Sequence, residues 1–492
     1  MAGPRGARLL ALLLAGLVLE AALVVGLLVP FNLHALPRPL QPGESLATIL
    51  GEGWGGALHF VVPVLLAFAT YTVGWLLLRR CAPRGALVVV LAGTVLFSLT
   101  LLPINPVGAQ DVYHNIADAR TYWVYGQNPT RIPPGHFADD PLARQVYTWS
   151  GFPSSYGPLW YQLSGAPLPF SGTGVRANVI GQKALTIIFL WGSTILAALV
   201  AEGLRPGAGA ASALLLGWNP LLQFATAGNA HNDIVMVFFA LAALYALVRR
   251  WWLAVLPLLT LAVATKQVWL LVVPIFLLWL WRRPDVPRRG LALSLVLSAL
   301  VAVALYAPLL AGHGYAGLAH ESSHVISSPG ALLALGLQHG LGLSWNTATT
   351  AIKPLILPFF ALGYLLLLRR AASAPDARAL ISCAFWVVFL YLLLAKWWYW
   401  PWYAEWVVAL AAPLAGGPTA PVALATSLGA MLAYATYYWL GDSFALQNIA
   451  TALAAFLPAL LVLAALGFLA WLRPASEYSG YRSRDEQRPA AR

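Results

Sequence analysis

Charge is what this sequence has least of. Only 9% of its 492 residues are Asp, Glu, Lys or Arg, against about a quarter in a soluble chain. So few charges cannot cover a water-facing surface, and soluble globular folds are excluded. Cysteine is almost absent. Cys81 and Cys383 fall on different apolar segments and match neither a disulfide framework nor a metal-ligand spacing, so both read as small apolar residues. Strict polar–apolar alternation is missing too. The apolar runs are continuous, which favours helices over a membrane β-barrel.

What the chain has instead is apolar length. Sixty per cent of the residues are hydrophobic and mean hydropathy is +0.74, so lipid is the main solvent. Backbone groups inside lipid must find partners within their own segment, which makes each crossing a helix. Fourteen apolar segments can be read: 9–29, 57–78, 86–103, 178–201, 208–227, 233–249, 251–264, 268–281, 290–311, 351–368, 379–395, 402–417, 421–440 and 450–472. The expected fold is all-α and polytopic, with about 12–14 spans. Residues 1–472 form one transmembrane domain and 473–492 a disordered basic tail. Several segments fall short of the ~20 residues a span needs, and 251–264 with 268–281 is short enough for a re-entrant hairpin. The first run follows Arg5 and Arg8, is long for a signal peptide and has no small-residue cleavage site after it, so it reads as a retained span. Glu20 lies inside it and should face other helices. The 21 Trp and 19 Tyr suit aromatic belts at the bilayer boundaries.

The net charge of +12 would suggest nucleic acid in a soluble protein. Here the basic residues flank apolar runs, so they mark topology and contact lipid headgroups, and no nucleic acid is expected. With a cytoplasmic N-terminus and alternating spans, Arg79, Arg80, Arg84, Arg205, Arg249, Arg250, Arg282, Arg283, Arg288, Arg289, Arg369, Arg370, Arg378 and the C-terminal arginines all fall inside. Only Arg38, Arg120, Arg131, Arg144 and Arg176 fall outside. Both termini are therefore expected in the cytoplasm. The four lysines, Lys183, Lys266, Lys353 and Lys396, do the opposite and sit near outer span ends. There they could hold a phosphate as point charges, or simply snorkel. The long polar loops also lie outside: 104–177 after the third span, 312–350 with His313, His320, Glu321 and His324, and 31–56 with Glu44 and Glu52. Long loops carry function, so chemistry belongs on the extracytoplasmic face.

Four constellations lie there. Asp111 begins the sequence Asp-Val-Tyr-His, with His114 beside it and Asp118 seven residues on. On a helix the two acids share a face. Asp111 could take a proton from a sugar hydroxyl or merely cap a helix. Arg120 could pair with either acid or with a phosphate. Next come Tyr125-Gly126-Gln127-Asn128-Pro129 and Tyr156-Gly157-Pro158-Leu159-Trp160, where Gly and Pro make turns and the aromatics could stack on a ligand. The third is Trp218-Asn219-Pro220 with His231-Asn232-Asp233. Asp233 suits a helix N-terminus, and His231 with Asp233 gives only two of the ligands a metal site needs. The fourth runs from Lys396 to Trp406 and packs Trp402, Tyr403 and Glu405 among further tryptophans. Its density exceeds a belt and suits a rigid site for a sugar or lipid-linked ligand.

Taken in order, these motifs resemble the bacterial polyprenol-phosphate-mannose-dependent mannosyltransferases of the C-type glycosyltransferase superfamily. The similarity spans most of residues 100–415. The resemblance implies a GT-C-like membrane enzyme that moves a sugar, mannose by this likeness, from a polyprenyl-phosphate donor to a glycan or lipid-linked acceptor outside the cytoplasm. It implies Asp111 as general base and inversion at the anomeric carbon. Arg120, Lys266 and Lys396 are the candidates for the donor phosphate, and His114, Asp118, Tyr156, His231, Asn232, Asp233, Trp402 and Tyr403 line the site. No metal or other cofactor is expected to be obligatory. The rival readings are a flippase for a lipid-linked sugar, which the lack of a clear internal repeat weakens, and a regulatory protein that binds a lipid phosphate without chemistry.

Overall fold

A computed structural model describes residues 4–33, 46–80, 82–310, 316–441 and 443–471. Arg38, Glu44, Cys81, His313 and the 473–492 tail lie outside the described residues. Among those described, regular structure is helical apart from two isolated bridges, Asn32 with Ile104 and Ile326 with Trp398.

Among the described residues eight helices are long and apolar enough to cross a bilayer: Gly6–Phe31, Trp54–Leu78, Val175–Leu204, Arg288–Leu309, Trp345–Ala372, Ala377–Leu394, Thr419–Trp439 and Phe444–Ala470. A ninth follows if Pro220–Gly228 and Asp233–Val248, bent by 119°, count as one span. By length and composition the described residues thus support 8 or 9 spans, fewer than the expected 12–14, and the reason is length. Ala86–Leu101 has 16 residues, about 24 Å of helix, short of the ~30 Å hydrocarbon core. Trp252–Thr265 has 14. The 402–417 segment is divided among Pro401–Tyr403, Ala404–Ala411 and Ala412–Leu414. An apolar run reports burial, and these short helices are buried by protein as well as by lipid.

The bundle has a clear inside. Thr419–Trp439 is 78% buried across its apolar window, whereas Arg288–Leu309 and Trp345–Ala372 are only 11% buried. The former is central and the latter two form the lipid-facing rim. Beside the centre lies a chain that sequence suggests is one span, 208–227, and that breaks at Trp218-Asn219-Pro220. Gly209–Gly217 ends there. Pro220 opens the next turn, and the Asn219 side chain accepts from the Leu221 and Leu222 amides at 3.0 and 3.4 Å, as an N-cap should. The freed polar groups are taken up by side chains: Gln223 Nε2 donates to the Gly217 carbonyl at 2.6 Å, and Asn229 Nδ2 to the Phe224 carbonyl at 2.8 Å. Irregular backbone at membrane depth is tolerated when it is satisfied within protein in this way. Glu20, as expected, turns inward and accepts from Thr100.

Candidate active site

The chain enters the first long loop through a fixed root. Asn105 N donates to the Phe31 carbonyl at 2.7 Å, and the buried Lys183 ammonium donates to the Leu101 and Ile104 carbonyls at 3.0 and 2.6 Å. Lys183 thus closes the end of Ala86–Leu101 and is not available to a ligand. Gly108 N then bonds Asn229 Oδ1 at 2.7 Å, which ties the loop to the helix break. Three residues later the helix Asp111–Trp123 begins.

Gln110, not Asp111, occupies the cap position, and no side-chain capping bond forms. The Asp111 carboxylate points elsewhere. Its Oδ2 accepts from the Tyr156 hydroxyl at 3.3 Å and stands 3.6 Å from His231 Nδ1. The side chain is 21% exposed. Burial pushes its pKa up to about 6, with Lys266 and His114 opposing and Asp233 assisting. His231 lies flat on Trp402, with ring centroids 3.9 Å apart and planes 19° apart.

Tyr156 is placed by its neighbour. Gly157 N bonds the Thr265 carbonyl at 3.0 Å, and a Cβ on Gly157 would stand 2.1 Å from the Ala264 carbonyl oxygen. Only glycine permits this approach, which sets the Tyr-Gly-Pro turn against the end of Trp252–Thr265. Lys266 follows at once. Its ammonium is held by both oxygens of the fully buried Asp233, at 2.9 and 3.0 Å. Trp406 Nε1 donates to the same carboxylate. Lys266 also stands 5.5, 4.8 and 5.5 Å from the ring centroids of Tyr156, Tyr403 and Trp406, within cation–π range.

A second pair closes the other wall. Lys396 is bonded to Glu321, and Tyr403 OH donates to the same Glu321 oxygen at 3.3 Å. Burial alone would raise the Glu321 pKa, but Lys396 and then Lys266 outweigh it and hold it at about 2. The short helix bearing Glu321 is fastened to the aromatic turn through Ile326 N to the Trp397 carbonyl and Tyr399 N to the Ile326 carbonyl, both 3.0 Å.

Two cavities meet at Asp111. One, of about 100 Å³, is lined by Asp111, His114, Tyr156, Glu321, Trp402 and Tyr403 among others. The larger, of about 460 Å³, extends along Pro106–Asp111 to Tyr437 and Tyr438.

The structure thus brings Asp111, Tyr156, His231, Asp233, Lys266, Lys396, Trp402 and Tyr403 into one neighbourhood. Asn232 is buried beside them, with its amide nitrogen unpartnered. Asp118 shares the helix but is fully buried and bonds His114 at 3.2 Å. Burial disfavours a charge on His114, yet Asp118 outweighs it and raises its pKa. Arg120, expected at the phosphate, is instead taken by Asp140 at 2.7 Å and lines neither cavity. Glu405 is buried with no hydrogen-bond partner and lines neither cavity. The walls contain residues that the sequence did not single out: Trp149, Tyr437 and Tyr438. The Tyr437-Tyr438-Trp439 run was the available signal, and it reads as an ordinary aromatic belt.

A polytopic helical membrane protein with a half-buried carboxylate, two lysine–carboxylate pairs and aromatic walls gathered around one cavity is equipped as a group-transfer enzyme for a polar substrate. The chain belongs to the α-(1→6)-mannopyranosyltransferase family, a family of hexosyltransferases: residues 12–283 match the family model described as "Alpha-(1->6)-mannopyranosyltransferase, N-terminal domain". It is 26% identical over 359 residues to α-(1→6)-mannopyranosyltransferase A of Mycobacterium tuberculosis (strain ATCC 25618 / H37Rv), covering 68% of this chain and 67% of that protein. Among solved structures it is similar to the Archaeoglobus fulgidus oligosaccharyltransferase in the apo form (TM-score 0.42, 14% identity, 77% of this chain and 55% of that one). It is also similar to the oligosaccharyltransferase AglB of the same organism in complex with an inhibitory peptide and a dolichol-phosphate (TM-score 0.41, 13% identity, 76% and 55%). The chain spans about half the length of these archaeal structures.

Proposed function

We propose that this protein transfers a mannosyl unit from polyprenyl-phosphate mannose to a hydroxyl of an α-(1→6)-linked mannan-type acceptor, with Asp111 as general base. The acceptor O–H gives its proton to Asp111 while its oxygen bonds the anomeric carbon. The bond from that carbon to the phosphate oxygen breaks, and polyprenyl phosphate leaves. A single displacement inverts the anomeric centre. The observation that carries this reading is Asp111 itself. It lies on the wall of both cavities, is not used as a cap, and has both polar contacts on Oδ2, which leaves Oδ1 for an incoming hydroxyl. Tyr156 and His231 orient the carboxylate. Lys396 and Lys266 flank the smaller cavity behind Glu321 and Tyr403 and supply positive potential for the departing phosphate.

The placement of the arginines supports the sidedness this reading needs. Arg205 donates to the Arg79 carbonyl at 3.2 Å and Arg283 to the Pro375 carbonyl at 2.8 Å. A Cβ on Gly416 would stand 2.5 Å from the Arg205 guanidinium. Arginine-bearing connections that are distant in sequence therefore share one end of the bundle, which supports a cytoplasmic placement for that end and an extracytoplasmic one for Asp111. A flippase would call for paired broken helices, and one bent pair occurs among the described residues.

The test is transfer of labelled mannose from polyprenyl-phosphate mannose to an α-(1→6)-mannooligosaccharide. Asp111→Asn should lower the rate by about 10²–10⁴-fold while polyprenyl phosphate still competes with the donor. A variant that keeps a comparable rate refutes the assignment. The base must be ionised, so in the wild type the rate should climb as pH rises through about 6 and then level. A flat profile from pH 5 to 8 argues against Asp111 as the titrating group.

A further inference from the structure

The two cavities at Asp111 differ in kind, and the difference distinguishes the two substrates. They share Asp111, Trp149, Trp398, Trp400 and Trp402. Beyond these the smaller contains Glu321 and Tyr403, which contact Lys396. Neither cavity is lined by a lysine or arginine; the difference is that Lys396 stands just behind the smaller one through Glu321 and Tyr403, whereas the larger has only His324 as a nitrogen base. A phosphate leaving group has no cation to meet there. A neutral polyol has much to meet.

The larger cavity's volume, about 460 Å³, falls in the ~300–1,000 Å³ range of small-ligand sites. Its walls present aromatic faces. Trp400 stacks one side on Trp402 at 5.0 Å and 10°, and meets Tyr437 at 5.2 Å and 59°. Trp400, Tyr437, Tyr438 and Trp149 are all half-buried, so part of each ring remains accessible. A pyranose ring has a face of C–H bonds that packs on a π-surface, and a rim of hydroxyls that reaches phenol and carbonyl groups. Tyr438 OH donates to the Gly108 carbonyl at 3.1 Å, which fixes this wall to the chain three residues before Asp111.

Given the mannosyl-transfer reading above, we infer that the larger cavity is the acceptor subsite. It takes the terminal hexose units of a neutral oligohexose chain and brings the terminal hydroxyl to Asp111 from the side opposite the lysines. The hydroxyl enters by one cavity and the phosphate departs by the other, as a displacement in line requires.

Two variants probe it from opposite directions. Tyr437→Ala removes a stacking face, and Thr148→Trp places a bulky ring into the cavity from an exposed position. Initial rates are measured with polyprenyl-phosphate mannose and α-(1→6)-mannotetraose, each varied in turn. Each variant should raise the mannotetraose KM by about five- to tenfold and leave the donor KM within about twofold, and Tyr437→Phe should restore the wild-type value. A rise in donor KM alone, or no change in either, overturns the assignment. If Tyr437→Ala does not fold, Thr148→Trp decides. Failure of the underlying reading has a different signature, namely a wild-type enzyme that does not transfer mannose or an Asp111→Asn variant that does.

Discussion

Lys266–Asp233 and Lys396–Glu321 are the same ion pair in two settings, and the settings give them different work. Asp233 is fully buried, grips Lys266 with both oxygens and is held again by Trp406. Glu321 meets Lys396 through one oxygen, and the two side chains are 18% and 12% exposed. Tyr403 links them, its ring 4.8 Å from one ammonium and 4.6 Å from the other. The inner pair fastens the start of Asp233–Val248 to the end of Trp252–Thr265. In the outer pair Glu321 lies on the cavity wall with Lys396 just behind it, which is the arrangement the proposed phosphate role requires. The lesson is that charge complementarity alone does not mark a ligand site. Access does.

Breaking the inner pair should have the larger effect. Asp233→Ala strands a buried ammonium, so stability should fall by about 3–5 kcal/mol, read as a lower melting temperature in detergent, and transfer should be lost with it. A variant that melts like the wild type would show that this pair does not hold the broken helix in place. Lys396→Ala should cost less, about 1–3 kcal/mol, because Glu321 is 18% exposed and keeps its bond from Tyr403. Its effect should instead appear as about tenfold weaker competition by polyprenyl phosphate, with the mannotetraose KM unchanged. Equal stability losses in the two variants would show that the two pairs do the same work.

The segment boundaries were legible. Nearly every apolar run corresponds to a helix, because a continuous apolar stretch in this chain has nowhere to go but lipid or core. The number of crossings was not legible, because Gly209–Gly217 is as apolar as a span and yet wholly enclosed by neighbours. Asp111, Tyr156, His231 and Lys266 could be grouped from sequence, since all four lie in segments that the alternation of apolar runs assigns to one face. Their pairings could not. Lys396 and Glu321 are 75 residues apart, and nothing local in either segment points to the other. The Arg120 pairing was hidden for the same reason: Asp140, twenty residues away, becomes its neighbour only when the loop folds. Tyr437 and Tyr438 carried the weakest signal, since an aromatic at a span end has two common explanations.

The limited exposure of Asp111 has a consequence for what the proposed enzyme avoids. A carboxylate able to activate a sugar alcohol can activate a solvent molecule as well, and the donor would then be squandered by hydrolysis. With about four-fifths of that side chain covered and indole rings on the approach, bulk liquid has a narrow way in, and a glycan terminus that fills the passage shuts it. The same rings that receive the chain would then act as its stopper, so that turnover without an acceptor stays slow.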